Sequence, residues 1–202
     1  YHERSYARHN ELLIDLRRHG VPIINEEPGY EMGGASWDDG RVDGRSWNSQ
    51  TAWRMLATLW TAVTAGAYTI WGNPATYEMG DPIWGLLDSI VPQRLRILHD
   101  TMISLPYWQM EPANELVSAG EVEIEGVGYR TNYCLAKRGE CYLVFSLHGG
   151  SLTLDLRPGT TYNVMQIDPR TGERIPYGPL KGERQTIAVA GREQVLVCRR
   201  VA

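Results

Sequence analysis

Residues 21–31 read VPIINEEPGYE. A short β-branched apolar run, residues 21–25, stops at two adjacent carboxylates, Glu26 and Glu27, and a Pro-Gly turn. Such a run, bounded by turn residues, reads as a buried strand. Successive strand residues face opposite ways, so only one of the two glutamates can point into a common mouth at the strand's end. What kind of strand this is depends on its flanks. Upstream, residues 6–19 place Leu12, Leu13 and Leu16 at helical spacing, and Gly20 is a stop signal. Downstream, Ser49 is placed to cap a helix in which Ala52, Met55, Leu56, Leu59, Trp60 and Val63 make one apolar face, ended by Gly66.

The segment AYTIW, residues 67–71, is the next strand. Asp81 and Pro82 then suit the cap and first turn of a long amphipathic helix reaching about Leu105, which Pro92 should bend or break. The order is helix, strand, helix, strand, helix. Short apolar strands joined by helices run parallel and are covered on both faces, which means α/β: a doubly wound sheet or a (β/α)8 barrel. Two strands and three helices cannot enclose a barrel core, which takes about 250 residues. The remaining strands are expected on a second polypeptide or segment. Helical spacing begins almost at Tyr1, so the chain is expected to start inside a fold, as a fragment, a processed product or one piece of a split protein.

Beyond LPYWQME, residues 105–111, the period changes to two. GVGYRTNYCLAKR, ECYLVFSLH, SLTLDLR, YNVMQID, RQTIAVA and QVLVCRR alternate or run apolar, separated by turn signals such as Pro158-Gly159 and DPRTGE. We expect two domains: residues 1–108, the C-terminal part of a barrel-like α/β unit, and residues 109–202, an antiparallel β-sandwich near the size of an immunoglobulin-like domain.

Composition narrows the functions. A net charge of -4 offers no basic footprint for nucleic acid. No apolar run approaches the roughly 20 residues of a membrane helix. Three widely spaced cysteines without a CxxC argue against a zinc or redox pair; buried free thiols are one reading and a Cys134–Cys141 bridge across a hairpin is another. Asp38, Asp39 and Asp43 do not fit a calcium loop, and no Gly-rich phosphate loop appears, so neither a metal nor a cofactor is expected. The aromatics are skewed to 7 Trp and 11 Tyr against 1 Phe, side chains whose flat faces and polar tips suit sugar rings.

In barrels of this kind catalytic groups sit at the C-terminal ends of strands. Glu26 and Glu27 close one strand, and Trp71, Gly72 and Asn73 close the next, at the same rim. Glycoside hydrolysis uses two carboxyl groups, an acid and a nucleophile or base. A strand-tip glutamate supplies one. No acid among Glu3, Glu31, Asp38, Asp39, Asp43, Glu78 and Asp81 stands out as the other. Trp37 and Trp47 flank a long loop that can shape a cleft, Tyr30 lies close enough in sequence to hydrogen-bond Glu27, and His2 follows the preceding strand position at the same rim.

These stretches carry a resemblance. VPIINEEPGYE, followed by TAWRMLATLWTAVTAGAYTIWG, resembles the last part of the barrel in the apiosidase-like glycoside hydrolases (glycoside hydrolase family 140 and its DUF4038 relatives). CYLVFSLHGG, SLTLDLRPG and QIDPRTGER resemble the small β-sandwich that follows in those proteins and that the families describe as collagen-binding. The resemblance spans residues 8–201. It implies a hydrolase of plant or microbial polysaccharide in which Glu27 matches the nucleophile; with the rim positions above, we expect a retaining site in which Trp71, Trp37, Tyr30, Asn73, His2 and Glu26 surround the sugar. It also implies a secreted or periplasmic setting. Glu26 stands where the family often has Gly, which adds a charge beside the nucleophile. The acid/base would lie on a barrel strand outside this sequence. The alternative is a non-catalytic carbohydrate-binding or assembly subunit.

Overall fold

The computed structural model describes residues 6–31, 49–72, 90–124 and 127–201. Contacts divide the chain into two units, residues 1–63 with 67–100, and residues 64–66 with 101–202.

In the first unit, α1 (Tyr6–Arg17) buries Leu13, but the same face also buries His9 and Asn10. Both polar side chains are satisfied by α2 (Ala52–Thr64): Asn10 Nδ2 donates to the Thr61 carbonyl at 2.9 Å, and His9 Nδ1 lies 2.9 Å from the Thr58 carbonyl. Helix α2 is apolar nearly all round, with Trp53, Met55, Leu56, Leu59, Trp60 and Val63 buried, as a helix enclosed on every side must be. Its cap is Thr51, not Ser49. Ala52 is the first helical residue, and Thr51 Oγ1 accepts the Arg54 N–H at 3.3 Å. Thr51→Ala should therefore cost about 1 kcal/mol, read as a lowered denaturant midpoint with an unchanged slope. At the other end Gly66 has φ +69° and Ala67 N–H returns to the Ala62 carbonyl at 3.1 Å, a Schellman closure that requires a left-handed residue.

Strand β1 (Ile24–Asn25) pairs in parallel with β4 (Tyr68–Thr69), Ile24 opposite Tyr68 and Asn25 opposite Thr69. This is the helix-linked parallel arrangement that the α/β reading requires. A second parallel pair, β2 (Tyr30–Glu31) with β3 (Ser49–Gln50), was not expected, and it takes Ser49 out of the helix cap. The described strands do not close a barrel. Helix α3 (Ile90–Ile103) holds Pro92 in its first turn, where a missing N–H costs nothing; the stretch before Ile90, over which the longer helix and its bend or break were expected, lies outside the described residues. Asp81 and Pro82 lie outside the described residues. No described helix is long and apolar enough to cross a membrane.

The second unit is antiparallel β. Its strands are β5 (Glu111–Pro112), β6 (Glu121–Ile124), β7 (Val127–Arg130), β8 (Asn132–Lys137), β9 (Cys141–Ser146), β10 (Gly150–Asp155), β11 (Thr161–Ile167), β12 (Arg174–Lys181), β13 (Arg184–Val189) and β14 (Gln194–Arg200). A six-stranded sheet runs β12-β11-β14-β9-β8-β5, and β10–β13 and β6–β7 form separate pairs. Leu152, Leu154, Ile187 and Val189 of the β10–β13 pair share one buried cluster with Cys134, Tyr142, Val144, Val164, Leu196 and Cys198 of the large sheet. The three cysteines are free and buried. A Cys134–Cys141 bridge is excluded by register, since Cys134 faces Val144 while Cys141 faces Lys137. Burial pushes the Cys198 thiol up to about 12 and raises that of Cys134 as well, so neither reacts at neutral pH. The DPRTGE turn is tied down: Asp168 Oδ1 accepts the Arg170 and Thr171 N–H groups at 2.7 and 3.2 Å, and Asp168 and Arg170 pair with Arg192 and Glu193.

Candidate active site

The end of β1 separates its two glutamates. Asn25 is buried, Glu26 is exposed and Glu27 is half-buried. Tyr30, three residues on, donates its hydroxyl to Glu27 Oε1 at 3.0 Å. The Pro28-Gly29 turn, with Gly29 at φ +105°, folds the chain back so that this contact can form.

A buried relay holds the backbone under Glu27. Glu27 N–H donates to Asn25 Oδ1 at 3.3 Å. Asn25 Nδ2 meets His9 Nε2 at 2.5 Å, and His9 Nδ1 contacts the Thr58 carbonyl and, at 3.1 Å, Thr61 Oγ1. A carbonyl can only accept, so Nδ1 carries the proton and Nε2 accepts from Asn25; this assigns the tautomer from the network. The imidazole is neutral, because burial lowers its pKa to about 4, against a smaller opposing push from the Thr58 carbonyl. Sequence reading passed over His9. Its position among Leu12, Leu13 and Leu16 marked only a helix face, and its partners are 49 and 52 residues away.

On the neighbouring strands Glu31 is fully buried. Its carboxylate accepts Trp71 Nε1–H at 2.9 Å and the Val91 N–H at 3.2 Å, the latter in the first turn of α3, where the helix dipole favours a negative charge. Adjacent strand residues point to opposite faces, so Trp71 hangs on the Glu31 side and Tyr30 turns to Glu27. Gly72 allows both: a Cβ there would lie 2.8 Å from Tyr30 Cδ1 and 2.9 Å from the Gly29 carbonyl. The structure thus joins Glu27 with Tyr30, leaves Glu26 on the surface and ties Trp71 to Glu31, a residue first read as an ordinary loop acid. His2, Trp37, Trp47 and Asn73 lie outside the described residues. No group of three or more His, Cys, Asp or Glu side chains among the described residues is arranged to hold a metal.

Chemically, a half-buried carboxylate that accepts a phenol hydroxyl on one oxygen is held in a defined orientation, and a carboxylate so placed can serve as a nucleophile or a proton-transfer group.

No protein-family model and no curated protein matches the chain. Solved structures do. One titled "Glycoside hydrolase" superposes with a TM-score of 0.72 over 98% of this chain at 13% identity. A second, a glycoside hydrolase family 5 structure from Bacteroides vulgatus ATCC 8482, gives 0.70 over 98% at 15% identity. The chain spans about half of each, 50% and 49% of their lengths. The chain therefore shares its fold with structures of glycoside hydrolases.

Proposed function

We propose that the chain supplies the nucleophile of a retaining glycoside hydrolase. On this reading its first unit is the C-terminal part of a (β/α)8 barrel and its second a β-sandwich accessory domain. The observation that carries it is Glu27, placed just past the C-terminal end of a parallel strand with the Tyr30 hydroxyl on its Oε1. The fold likeness supports the reaction class, and the order of the sequence motifs supports an apiosidase-like relative. Glu27 attacks the anomeric carbon, an acid on another segment protonates the leaving oxygen, and water then releases the sugar. In the assembled site the two carboxyl groups should stand roughly 5–5.5 Å apart; a gap of about 6.5–9.5 Å would mean inversion.

The strands that complete the barrel come from a second polypeptide or another segment. Parallel strands are normally covered on both faces. Here Ile24 and Tyr68, opposite each other in the β1–β4 pair, are 53% and 52% exposed, with Val21 and Ile70 exposed alongside. The same strip favours the second reading, in which the chain serves assembly or carbohydrate binding without catalysis. Native mass spectrometry separates these from a self-sufficient domain: a stable lone monomer of this chain defeats the barrel assignment.

Tyr30→Phe should lower kcat roughly 10- to 150-fold with the fold intact, since a hydrogen bond to a charged oxygen is worth about 1.5–3 kcal/mol. Steady-state kinetics on an aryl glycoside checks it. An unchanged kcat removes Tyr30 from the site.

A further inference from the structure

The second unit carries a cleft of about 640 Å³ on the face of the β12-β11-β14 edge, remote in sequence from Glu27. Strand register shows how it is built. Met165 faces Val197 across β14 and Pro176 across β12, and Ile167 lies beside them; Val197 and Ile167 are buried, so this is an apolar floor. At one end of the floor Asn163 faces Arg199, and at the other Ile167 faces Arg174. These two ends are four residues apart along β11, roughly 13 Å.

The rim is cationic, and its guanidinium groups are not neutralised by any carboxylate among the described residues. Arg174, Arg199 and Arg200 all line the cleft, and among the described lining residues there is no Asp or Glu. None of the three forms an ion pair with a described carboxylate, whereas Arg138, Arg170, Arg184 and Arg192 of the same unit all do. Arg199 is also held in place: Nη2 donates to the Ser104 carbonyl at 2.8 Å and meets Ser104 Oγ at 2.7 Å, which leaves its other nitrogens to a ligand. In a chain of net charge -4 an acid-free cluster of arginines is a local feature, not a reflection of composition. Planar guanidinium groups bind carboxylate and sulfate oxygens in pairs, and an apolar floor between them suits the C–H face of a ring.

We propose that this cleft binds a sugar chain bearing carboxylate or sulfate groups, with Arg199 and Arg174 each taking an anionic group and the Met165–Val197 floor taking the ring between them. The choice of a sugar over other polyanions rests on the glycosidase reading; the anionic character rests on the cleft alone. The second unit then holds an acidic polysaccharide while the barrel cuts it.

Isothermal titration calorimetry on the full chain tests this with three probes: an oligogalacturonate, a sulfated dextran oligosaccharide and a neutral dextran oligosaccharide. Binding of at least one acidic probe, weakened by added salt, with none of the neutral one, is the expected result. The two acidic arms identify the group recognised. Arg174→Gln, a surface change that does not threaten folding, should weaken binding about tenfold, and Arg199→Gln at least as much. Equal binding of the neutral probe, no binding of either acidic probe, or unchanged affinity in both variants overturns the proposal. Glu27→Gln should leave this binding untouched, so loss of hydrolysis and loss of cleft binding fail independently.

Discussion

Glu27→Gln, assayed in a complex that supplies the remaining barrel strands, should lower hydrolysis of an aryl glycoside by on the order of 10³-fold or more. An amide is nearly the same size and shape as a carboxylate, and its oxygen can still accept the Tyr30 hydroxyl. What it cannot do is attack the anomeric carbon. The fold should not notice: Glu27 is only half-buried, and the relay through Asn25 touches its backbone N–H rather than its side chain. The control is Glu26→Gln. Glu26 is exposed beyond the same strand, and its loss should change turnover little. If Glu27→Gln retains full turnover, or if Glu26→Gln proves the more damaging, the nucleophile assignment is lost.

The local geometry around Glu27 was open to sequence reading because its parts are local. The β-branched run ending at Asn25 and the apolar helix between it and AYTIW imply parallel strands, and β1 and β4 pair that way. Tyr30 lies three residues from Glu27, within reach of a turn. The period-two segments after residue 109 similarly emerge as antiparallel strands. What stayed hidden depends on distant partners. Strands β2 and β3 have two residues each, too few to show a period, so Ser49 looked like a cap when Thr51 holds that place. Glu31 looked like one loop acid among several. It is buried because Trp71 and Val91, 40 and 60 residues away, bring it two donors, and no local pattern encodes that. The cationic cleft is equally non-local, since its arginines belong to β12 and β14 and become neighbours only through β11.

Acidification should destabilise the protein through His9. Burial holds its pKa at about 4 in the folded state, against 6.5 ordinarily. Between those values the unfolded chain takes up a proton that the folded chain refuses, so the unfolded state binds more protons and stability rises with pH. The full stability is present above about pH 6.5 and is lost progressively as pH falls toward 4. At 1.36 kcal/mol per unit, the loss from this one group approaches about 3 kcal/mol. Denaturant melts across that window measure it, and His9→Gln should flatten the slope while costing about 1–3 kcal/mol at neutral pH through its lost hydrogen bonds. An imidazole signal that titrates near 6.5 in the folded protein would refute the argument. The consequence reaches the site. A protonated Nε2 can no longer accept from Asn25, whose other end holds the Glu27 N–H. On the acid side, therefore, loss of activity should track the His9 transition and move with it in any variant that relieves the burial.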